Sequence, residues 1–170
     1  MYSGVLPDGT AVSLAPIQAT DAARLLRFHQ TLSGNTTYLR FFAYHPELSP
    51  AELHRFTNVD HHDREAIVAC VGGEIVGVAR FDRVDIRTDA EVALVVADAW
   101  RGRAIGKLLF EELVRRGRAE GVERFIAETL AHNSRMLALF DHCGLPHSNR
   151  ADGDTVMVTI DLTVPPLNTS

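Results

Sequence analysis

Hydrophobic and polar residues follow two repeating patterns along this chain. Apolar residues at every second position, or in short runs, predict strands, and apolar residues three or four positions apart predict helices. The strand pattern occurs at 10–17, 65–71, 74–82, 90–96, 123–130 and 154–162. The helix pattern occurs at 21–32, 50–56, 105–120 and 134–143. Because no repeat or linker interrupts these segments, we predict a single mixed α/β sheet with helices on both faces.

Local signals support several of these element ends. Ser49 followed by Pro50 is a typical helix start, with a capping hydroxyl and a proline in the first helical position. Gly72 and Gly73 predict a tight hairpin between two strands. Gly77, inside the second of those strands, predicts a bulge or a close approach by another part of the chain.

Three segments lack both patterns and are predicted to be turns or loops. Residues 1–9 are turn-rich and residues 147–153 are polar. The third segment, 36–44, is the densest aromatic segment of the chain. Two interpretations of its aromatic residues stay open, because they can fill the core beside the central strand or line a groove for an acceptor substrate.

Length and composition indicate one domain. A chain of 170 residues can bury most of its apolar surface in a single core. Its two cysteines, Cys70 and Cys143, lie in apolar sequence surroundings, as buried thiols of a reducing compartment do. No N-terminal signal segment and no run of 18 apolar residues occurs, so we expect a cytoplasmic protein that does not span a membrane.

The charged residues narrow the range of partners. The net charge of −5 comes from 17 basic and 22 acidic side chains spread along the chain, which excludes a basic field suited to nucleic acid and is compatible with a cationic amine. Residues 58–64 contain two histidines and two aspartates. We predict no metal site there, because adjacent His61 and His62 would point to opposite faces and no further ligand cluster follows.

A glycine-rich turn lies between the Val-rich strand at 90–96, which is predicted to be buried on both faces, and the long helix after it. The residues of this turn and of the helix start are Arg101, Gly102, Arg103, Ala104, Ile105, Gly106 and Lys107. Several backbone N–H groups are exposed at this helix start, so the turn predicts an anion site. A triphosphate-binding loop is excluded because Leu108 follows Gly106-Lys107, and the dinucleotide G-x-G-x-x-G pattern is absent.

This turn resembles the Gln/Arg-x-x-Gly-x-Gly/Ala signature of the GCN5-related N-acetyltransferases, the GNAT family, in which it binds the pyrophosphate of acetyl-CoA. Arg101, Ala104 and Gly106 occupy its fixed positions, and Ala104 departs from the usual glycine. A left-handed alanine there would cost about 1 kcal/mol. The order of predicted elements also resembles that family. The resemblance implies one GNAT domain over 1–164 with a mostly antiparallel sheet, followed by a flexible tail at 165–170.

A narrower resemblance occurs in the front half of the chain. Segments 32–42 and 56–60 look like the catalytic domains of bacterial protein lysine acetyltransferases. This resemblance implies acetyl transfer to the ε-amine of protein lysines, with acyl-CoA synthetases among the targets. We expect Arg40, Phe41 and Phe42 to lie near the acceptor entrance.

Acetyl transfer to an amine requires the removal of a proton, because a lysine ammonium with a pKa near 10.4 is only about 0.1% neutral at pH 7.4. Glu91 is the candidate general base. It stands in an apolar strand, where burial would raise the pKa of its carboxyl group toward neutrality. The alternative is a structural glutamate paired with Arg80 or Arg83. The resemblance favours the catalytic role, since such acetyltransferases place a glutamate at the matching position.

The resemblance also assigns residues to coenzyme A. Main-chain groups of Ala93, Leu94 and Val95 would bind the pantetheine arm, as an added strand binds a sheet edge. Residues 101–107 would hold the pyrophosphate. Asn133 is predicted to cap the next helix, and the family also uses this position near the pantetheine arm.

Phe140 marks a departure from the family. Many relatives carry a tyrosine at the corresponding position, where it protonates the leaving thiolate, and phenylalanine cannot donate a proton. Three options stay open: Tyr38 supplies the proton, a water molecule supplies it, or the thiolate departs unaided.

The predicted function is therefore N-acetyl transfer with acetyl-CoA as cosubstrate and a protein lysine as acceptor, without a metal. One alternative is a small amine acceptor such as a polyamine, an amino acid or an antibiotic. Another is a non-catalytic sensor that binds acyl-CoA. The oligomeric state is left open, with a homodimer as one option.

Overall fold

The computed structural model describes residues 2–43 and 45–165, which form an eight-stranded sheet and five α-helices. The strands are β1 (Tyr2–Val5), β2 (Ala11–Pro16), β3 (Arg64–Val71), β4 (Glu74–Arg83), β5 (Asp89–Val96), β6 (Arg124–Leu130), β7 (His147–Asp152) and β8 (Thr155–Asp161). The helices are α1 (Ala22–Gln30), α2 (Gly34–Phe41), α3 (Pro50–Thr57), α4 (Ile105–Ala119) and α5 (Ser134–Asp141).

The strands lie in the order β1-β2-β3-β4-β5-β6-β8-β7. Neighbouring strands are antiparallel except for β5 and β6, which are parallel. A parallel pair needs a crossover connection, and α4 supplies it. The predicted sheet, mixed and mostly antiparallel, is confirmed.

Helices cover both faces of the sheet, as predicted. Successive residues of β4 point to opposite faces, so Phe81 joins the hydrophobic cluster under Leu109 of α4, together with Phe125 of β6. Val78 joins the cluster on the other face, which contains Phe28 of α1. The central strands are therefore covered by α4 and α5 on one face and by α1, α2 and α3 on the other.

Gly77 lies at a bulge and also at a close approach by another part of the chain, so both options predicted for it are confirmed. The register between β3 and β4 shifts after Ala69, which is opposite Gly77, so that Cys70 is opposite Ile75. A Cβ atom at Gly77 would lie 2.8 Å from the Cδ1 atom of Leu109. The missing side chain lets α4 pack directly against the bulged strand.

The loop predictions for three segments are wrong. The segment 36–44 is helical for most of its described length, because α2 covers Gly34–Phe41 and is capped by the Ser33 hydroxyl, which accepts from the Thr36 N–H at 3.1 Å. The turn-rich start contains β1, and the polar segment after Pro146 contains β7. β1 and β7 are mostly exposed edge strands, so their sequences carry no hydrophobic alternation.

None of the described helices is long and apolar enough to cross a membrane. Cys70 and Cys143 are free thiols in half-buried positions, where burial raises the pKa of each thiol. Of the predicted tail at 165–170, residues 166–170 lie outside the described residues.

Candidate active site

β5 and β6 begin as neighbours and then separate. Their parallel pairing runs from Asp89 opposite Arg124 to Glu91 opposite Ile126, and it extends no further within the described residues. β6 stays paired with β8 along its whole length, so the gap opens toward β5. Main-chain groups of β5 that follow Glu91 and face this gap are therefore available to a ligand.

A groove of about 860 Å³ occupies the gap. Residues 92–96 line it and are only half-buried. The prediction that this Val-rich strand is buried on both faces is wrong. Along its second half β5 stays paired with β4, but on its other edge the groove takes the place of β6. The predicted site residues that line the groove are Arg40, Phe41, Phe42, Glu91, Ala93, Leu94, Val95, Arg101, Gly102, Ala104, Ile105, Gly106 and Asn133.

One end of the groove is formed by the start of α4. Ala104 adopts the left-handed conformation with a φ of 71° and a ψ of 8°, and no side chain caps the helix. The N–H groups of Ile105, Gly106 and Lys107 therefore have no acceptor within the helix, which is the feature that binds anions. Gly106 lines the groove, so this positive helix end is open to it.

The basic side chains of the turn are partly engaged by the protein. Arg101 donates to the Thr36 hydroxyl and lies 3.3 Å from Asp98, which also accepts from the Ser33 N–H at 2.8 Å. Arg101 thus holds the start of α2 against the turn. Arg103 and Lys107 do not line the groove. Arg103 stacks over Trp100 with its Cζ atom 4.6 Å from the ring centroid, and Lys107 is exposed.

Glu91 is exposed where the two strands part, so the premise that it is buried is wrong. Within the described chain it also lacks the arginine partner of the alternative interpretation. Arg83 donates instead to the carbonyl oxygens of Arg87 and Glu120. Arg80 stacks on Phe56. The Glu91 carboxylate therefore faces the groove, free of any ion pair with a described residue.

The aromatic segment takes part in both the core and the groove, and its contact with an acceptor stays a prediction. Phe41 packs against the hydrophobic cluster under α1, and it lines the groove together with Phe42. Phe42 ends α2 in a left-handed conformation with a φ of 58°. Tyr44 lies outside the described residues. α2 therefore forms a wall of the groove on the face that carries Glu91.

The opposite wall contains the start of α5. The Asn133 side chain accepts from the Met136 N–H at 3.3 Å, which confirms its role as a helix cap, and it borders the groove. Phe140 is buried against Phe110, with ring centroids 5.5 Å apart, and lines the groove without a polar group. Tyr38, one candidate proton donor, is exposed and does not line the groove.

Thr129 is a groove residue that sequence reasoning missed. It is 3% exposed, and its Oγ1 atom has no hydrogen-bond partner within the described chain. An unpaired buried hydroxyl is costly, so a ligand atom in the groove is a natural partner. The only signal in the sequence was a polar residue at an inward position of β6, in the alternation of Phe125 and Ala127.

Arg80 was considered only as a possible partner of Glu91, and its position in the groove wall was not foreseen. It is 7% exposed and lines the groove from β4. Burial, with a contribution from the nearby charge of Arg40, lowers the pKa of Arg80 to about 9. Burial likewise lowers the pKa of Arg40 to about 10. The signal in the sequence was a charged residue in the middle of an apolar strand. Its surroundings could not be predicted, because they depend on helices that are distant in sequence.

The histidines of the loop before β3 have acidic partners. His61 lies 2.7 Å from Glu65, and His62 contacts Glu120. The described residues contain no group of three or more His, Cys, Asp or Glu residues that could hold a metal ion.

Comparison with known proteins relates this geometry to a family. The model of the acetyltransferase (GNAT) family matches residues 25–145. The chain is 34% identical over 159 residues to acetyltransferase Pat of Mycolicibacterium smegmatis, covering 92% of this chain and 46% of that protein. It is 29% identical to acetyltransferase PA5475 of Pseudomonas aeruginosa, covering 88% of this chain and 81% of that protein.

A solved structure shows the same arrangement. The GNAT domain of S. lividans PAT aligns with a TM-score of 0.89 and 34% identity, covering 94% of this chain and 96% of that one. The chain thus spans about half the length of the M. smegmatis relative and nearly all of the S. lividans domain.

Proposed function

The chain belongs to the acetyltransferase (GNAT) family, and we propose that it transfers the acetyl group of acetyl-CoA to the side-chain amine of a protein lysine. The observation that carries this proposal is the position of Glu91. It is a carboxylate without an ion-pair partner among the described residues, at the point where β5 and β6 part, inside the groove that leads from the open start of α4.

The donor would bind along the groove. The N–H groups at the start of α4 would bind the diphosphate of acetyl-CoA, with Gly102 and Ala104 leaving its approach open. Main-chain groups of Ala93 to Val95 would bind the pantetheine arm as an additional strand would, because β6 does not pair with them. Asn133 and Thr129 line the same passage and can donate or accept hydrogen bonds there.

The acceptor would react beside Glu91. A lysine arrives as an ammonium ion, and its proton must leave before the nitrogen can attack the thioester carbonyl carbon. Glu91 would take this proton, directly or through a water molecule. The C–N bond then forms, the nitrogen releases its second proton to water, the C–S bond breaks, and the products are an amide and the coenzyme A thiolate.

The groove constrains how the thiolate is neutralised. Phe140 cannot donate a proton, and Tyr38 does not line the groove. Of the three options that the sequence left open, protonation by water and unaided departure are the two that this geometry supports. A coenzyme A thiolate is a fair leaving group, because the pKa of a thiol, about 8.5 to 10, lies below the pKa of about 10.4 of a lysine ammonium.

The first test replaces Glu91 by glutamine. We expect Glu91→Gln to keep acetyl-CoA binding, measured by calorimetry, and to lower kcat by about tenfold or more, because the proton acceptor is lost. Glu128→Gln is the informative comparison, since Glu128 is an exposed carboxylate that lines the same groove from β6. Unchanged turnover in Glu91→Gln, or a larger loss in Glu128→Gln, would remove Glu91 from this role.

The second test concerns the acceptor. Purified candidate proteins and a panel of small amines would each be incubated with labelled acetyl-CoA, and acetylated lysines would be located by mass spectrometry. Site-specific label on lysines supports the proposal. Label on small amines alone indicates the small-molecule alternative, and coenzyme A binding without transfer to any acceptor indicates a sensor.

A further inference from the structure

We propose that Arg40 and Arg80 form a carboxylate-binding subsite beside Glu91, so that the preferred acceptor carries a carboxylate close to the amine that is acetylated. In a protein, this acceptor is a lysine flanked by aspartate or glutamate. The inference rests on the proposed function in one respect, because it takes Glu91 as the place where the amine reacts.

The sheet register brings Arg80 and Glu91 together. In the pairing of β4 with β5, Arg80 is opposite Ala93 and Asp82 is opposite Glu91. Opposed residues point to the same face, and diagonal neighbours such as Arg80 and Glu91 have Cα atoms roughly 7–8 Å apart. An acceptor whose amine reaches Glu91 can therefore place a neighbouring group at Arg80.

The guanidinium of Arg80 has few contacts within the described chain. Its Cζ atom lies 4.4 Å from the centroid of the Phe56 ring, and Nη2 donates to the Phe56 carbonyl oxygen at 3.4 Å. Asp82, the acidic residue two positions further along β4, is bound by Arg64 at 2.8 Å. Most of the five N–H donors of Arg80 are therefore left for a ligand.

Arg40 brings a second positive charge to the same wall. Its Cζ atom lies 4.7 Å from the centroid of the Phe41 ring, and it forms no ion pair with a described residue. Repulsion from Arg40 contributes to the lowered pKa of Arg80, so the two charges are close enough to interact. Buried charges need a counterion, and a carboxylate that accepts hydrogen bonds from two guanidinium groups would supply it.

The nearby acidic residues of the described chain form no ion pair with Arg40 or Arg80, although the charge of Asp82 attracts both from a greater distance. Glu52 accepts from the Ser49 N–H at 2.8 Å at the start of α3 and lies 3.0 Å from His45. Arg55 also lines this part of the groove. Basic and acidic side chains thus balance in number here, but Asp82 is bound by Arg64 and Glu52 by His45, so Arg40 and Arg80 have no carboxylate paired to them among the described residues. A polyamine would bring further positive charge close to the Arg40 and Arg80 guanidinium groups, whereas an amine with an adjacent carboxylate would bring them a partner.

The donor's own phosphates fit this position poorly. The open start of α4 follows the C-terminal end of β5, whereas Arg80 faces Ala93 in the middle of that strand. A carboxylate could also come from a dicarboxylic acyl group on the donor, such as succinyl. The experiment below separates that source from the acceptor.

The test compares lysine peptides that differ in one flanking residue. One peptide carries aspartate next to the lysine, its partner carries asparagine, and free amino acids and spermidine complete the panel. We expect the aspartate peptide to have a kcat/KM about tenfold higher than the asparagine peptide, mainly through a lower KM. Spermidine is expected to be the poorest acceptor.

Two variants test whether Arg80 and Arg40 cause the preference for the aspartate peptide. Arg80→Met and Arg40→Met keep much of the side-chain length, and in each the two peptides should differ by only about twofold, with the KM for acetyl-CoA unchanged. Arg150→Met is the control, because Arg150 is exposed on β7 and does not line the groove. Arg40 is less buried than Arg80, so Arg40→Met decides the question if Arg80→Met fails to fold.

The outcomes separate this inference from the proposed function. Equal use of both peptides by the unmodified protein would overturn the subsite and leave lysine acetylation standing. Arginine-dependent acetylation of free amino acids without any peptide acetylation would keep the subsite and overturn the protein acceptor. A loss confined to succinyl-CoA in the arginine variants would place the carboxylate on the donor and overturn the inference.

Discussion

Ala104 holds a left-handed conformation at the start of α4 without being glycine. A non-glycine residue in this region is strained by about 1 kcal/mol or more. We therefore expect Ala104→Gly to raise the free energy of unfolding by about 1 kcal/mol, measured by urea denaturation. The KM for acetyl-CoA should stay close to its original value, because the substitution keeps the backbone N–H groups at the helix start.

Gly102 supplies the opposite substitution in the same turn. It has a φ of +72°, and a Cβ atom there would meet nothing within 4 Å, so Gly102→Ala would introduce strain without a clash. Its unfolding free energy should fall by about 1 kcal/mol. A destabilised Ala104→Gly variant would contradict the left-handed conformation at the start of α4.

A substitution of Thr129 tests whether its hydroxyl binds acetyl-CoA. Its buried hydroxyl lacks a partner in the described chain, so Thr129→Val should leave the free energy of unfolding unchanged or raise it by about 1 kcal/mol. If the hydroxyl binds acetyl-CoA, the KM for acetyl-CoA should rise by about threefold to tenfold, since one hydrogen bond is lost.

Thr57→Val is the matched control for that substitution. The Thr57 hydroxyl is equally buried but donates to the Leu53 carbonyl oxygen at 2.8 Å. Its loss should lower the free energy of unfolding by about 1 kcal/mol and leave the KM for acetyl-CoA unchanged. If both variants lose similar stability, Thr129 has a partner within the protein and no role toward the ligand.

At the scale of elements, a strong hydrophobic periodicity was sufficient to predict several strands and helices. The hairpin of β3 and β4 follows from two apolar strands around Gly72-Gly73, and α4 follows from one apolar face that ends near Gly121. The capping box at the start of α3 uses the Ser49 hydroxyl and the Glu52 carboxylate, as its sequence indicates. In such segments local preference and tertiary packing agree.

Elements that depend on distant partners were missed. α2 contains Thr36, Thr37 and Tyr38, which are weak helix formers, and no helix was predicted there. Tertiary contacts hold it in place, because Asp98 and Arg101 bind the residues at its start. Preferences of single residues cannot reveal a helix that is stabilised from 60 positions away.

In the candidate site, too, features that adjacent residues determine were predicted, and features that depend on distant residues were missed. The turn at the start of α4 and Glu91 both border the groove, where the sequence placed them, and their roles toward an anion and a proton stay predictions. The surroundings of Glu91 were predicted wrongly, since a Val-rich strand does not reveal where its neighbour β6 departs. Arg80 was missed as a groove residue because its surroundings depend on helices that are distant in sequence. Its lack of an acidic partner also depends on a tertiary contact, since Asp82 is bound by Arg64.

At the scale of the whole molecule, the sheet consists of two parts joined by a short pairing. β1 to β5 form one part, β6 to β8 form the other, and residues 89–91 with 124–126 connect them. A ligand in the groove would contact both parts. Binding of acetyl-CoA should therefore stabilise the native state as a whole through linkage between binding and folding.

Acid stability is a second property of the whole molecule, because a buried histidine and a hydrogen-bonded aspartate resist protonation in the fold. Burial lowers the pKa of His29 below its ordinary value of 6.5, and its Nε2 atom lies 2.8 Å from the His45 carbonyl oxygen. Although burial acts to raise the pKa of Asp98, hydrogen bonds from Thr36 and Ser33 and the charge of Arg101 lower it below 3.8. In both cases the unfolded chain binds protons more readily than the native protein does.

The free energy of unfolding should therefore fall in two steps as the pH decreases. The first begins near pH 6.5, where unfolded His29 becomes protonated, and the second begins near pH 4, where unfolded Asp98 does. His29→Gln keeps a hydrogen-bond donor but cannot titrate, so its unfolding free energy should fall less than that of the unmodified protein between pH 7.5 and 5.5. Urea denaturation at each pH measures this, with His132→Gln at an exposed position as the control. Identical profiles for the His29 variant and the unmodified protein would show that burial of His29 does not cause the first step.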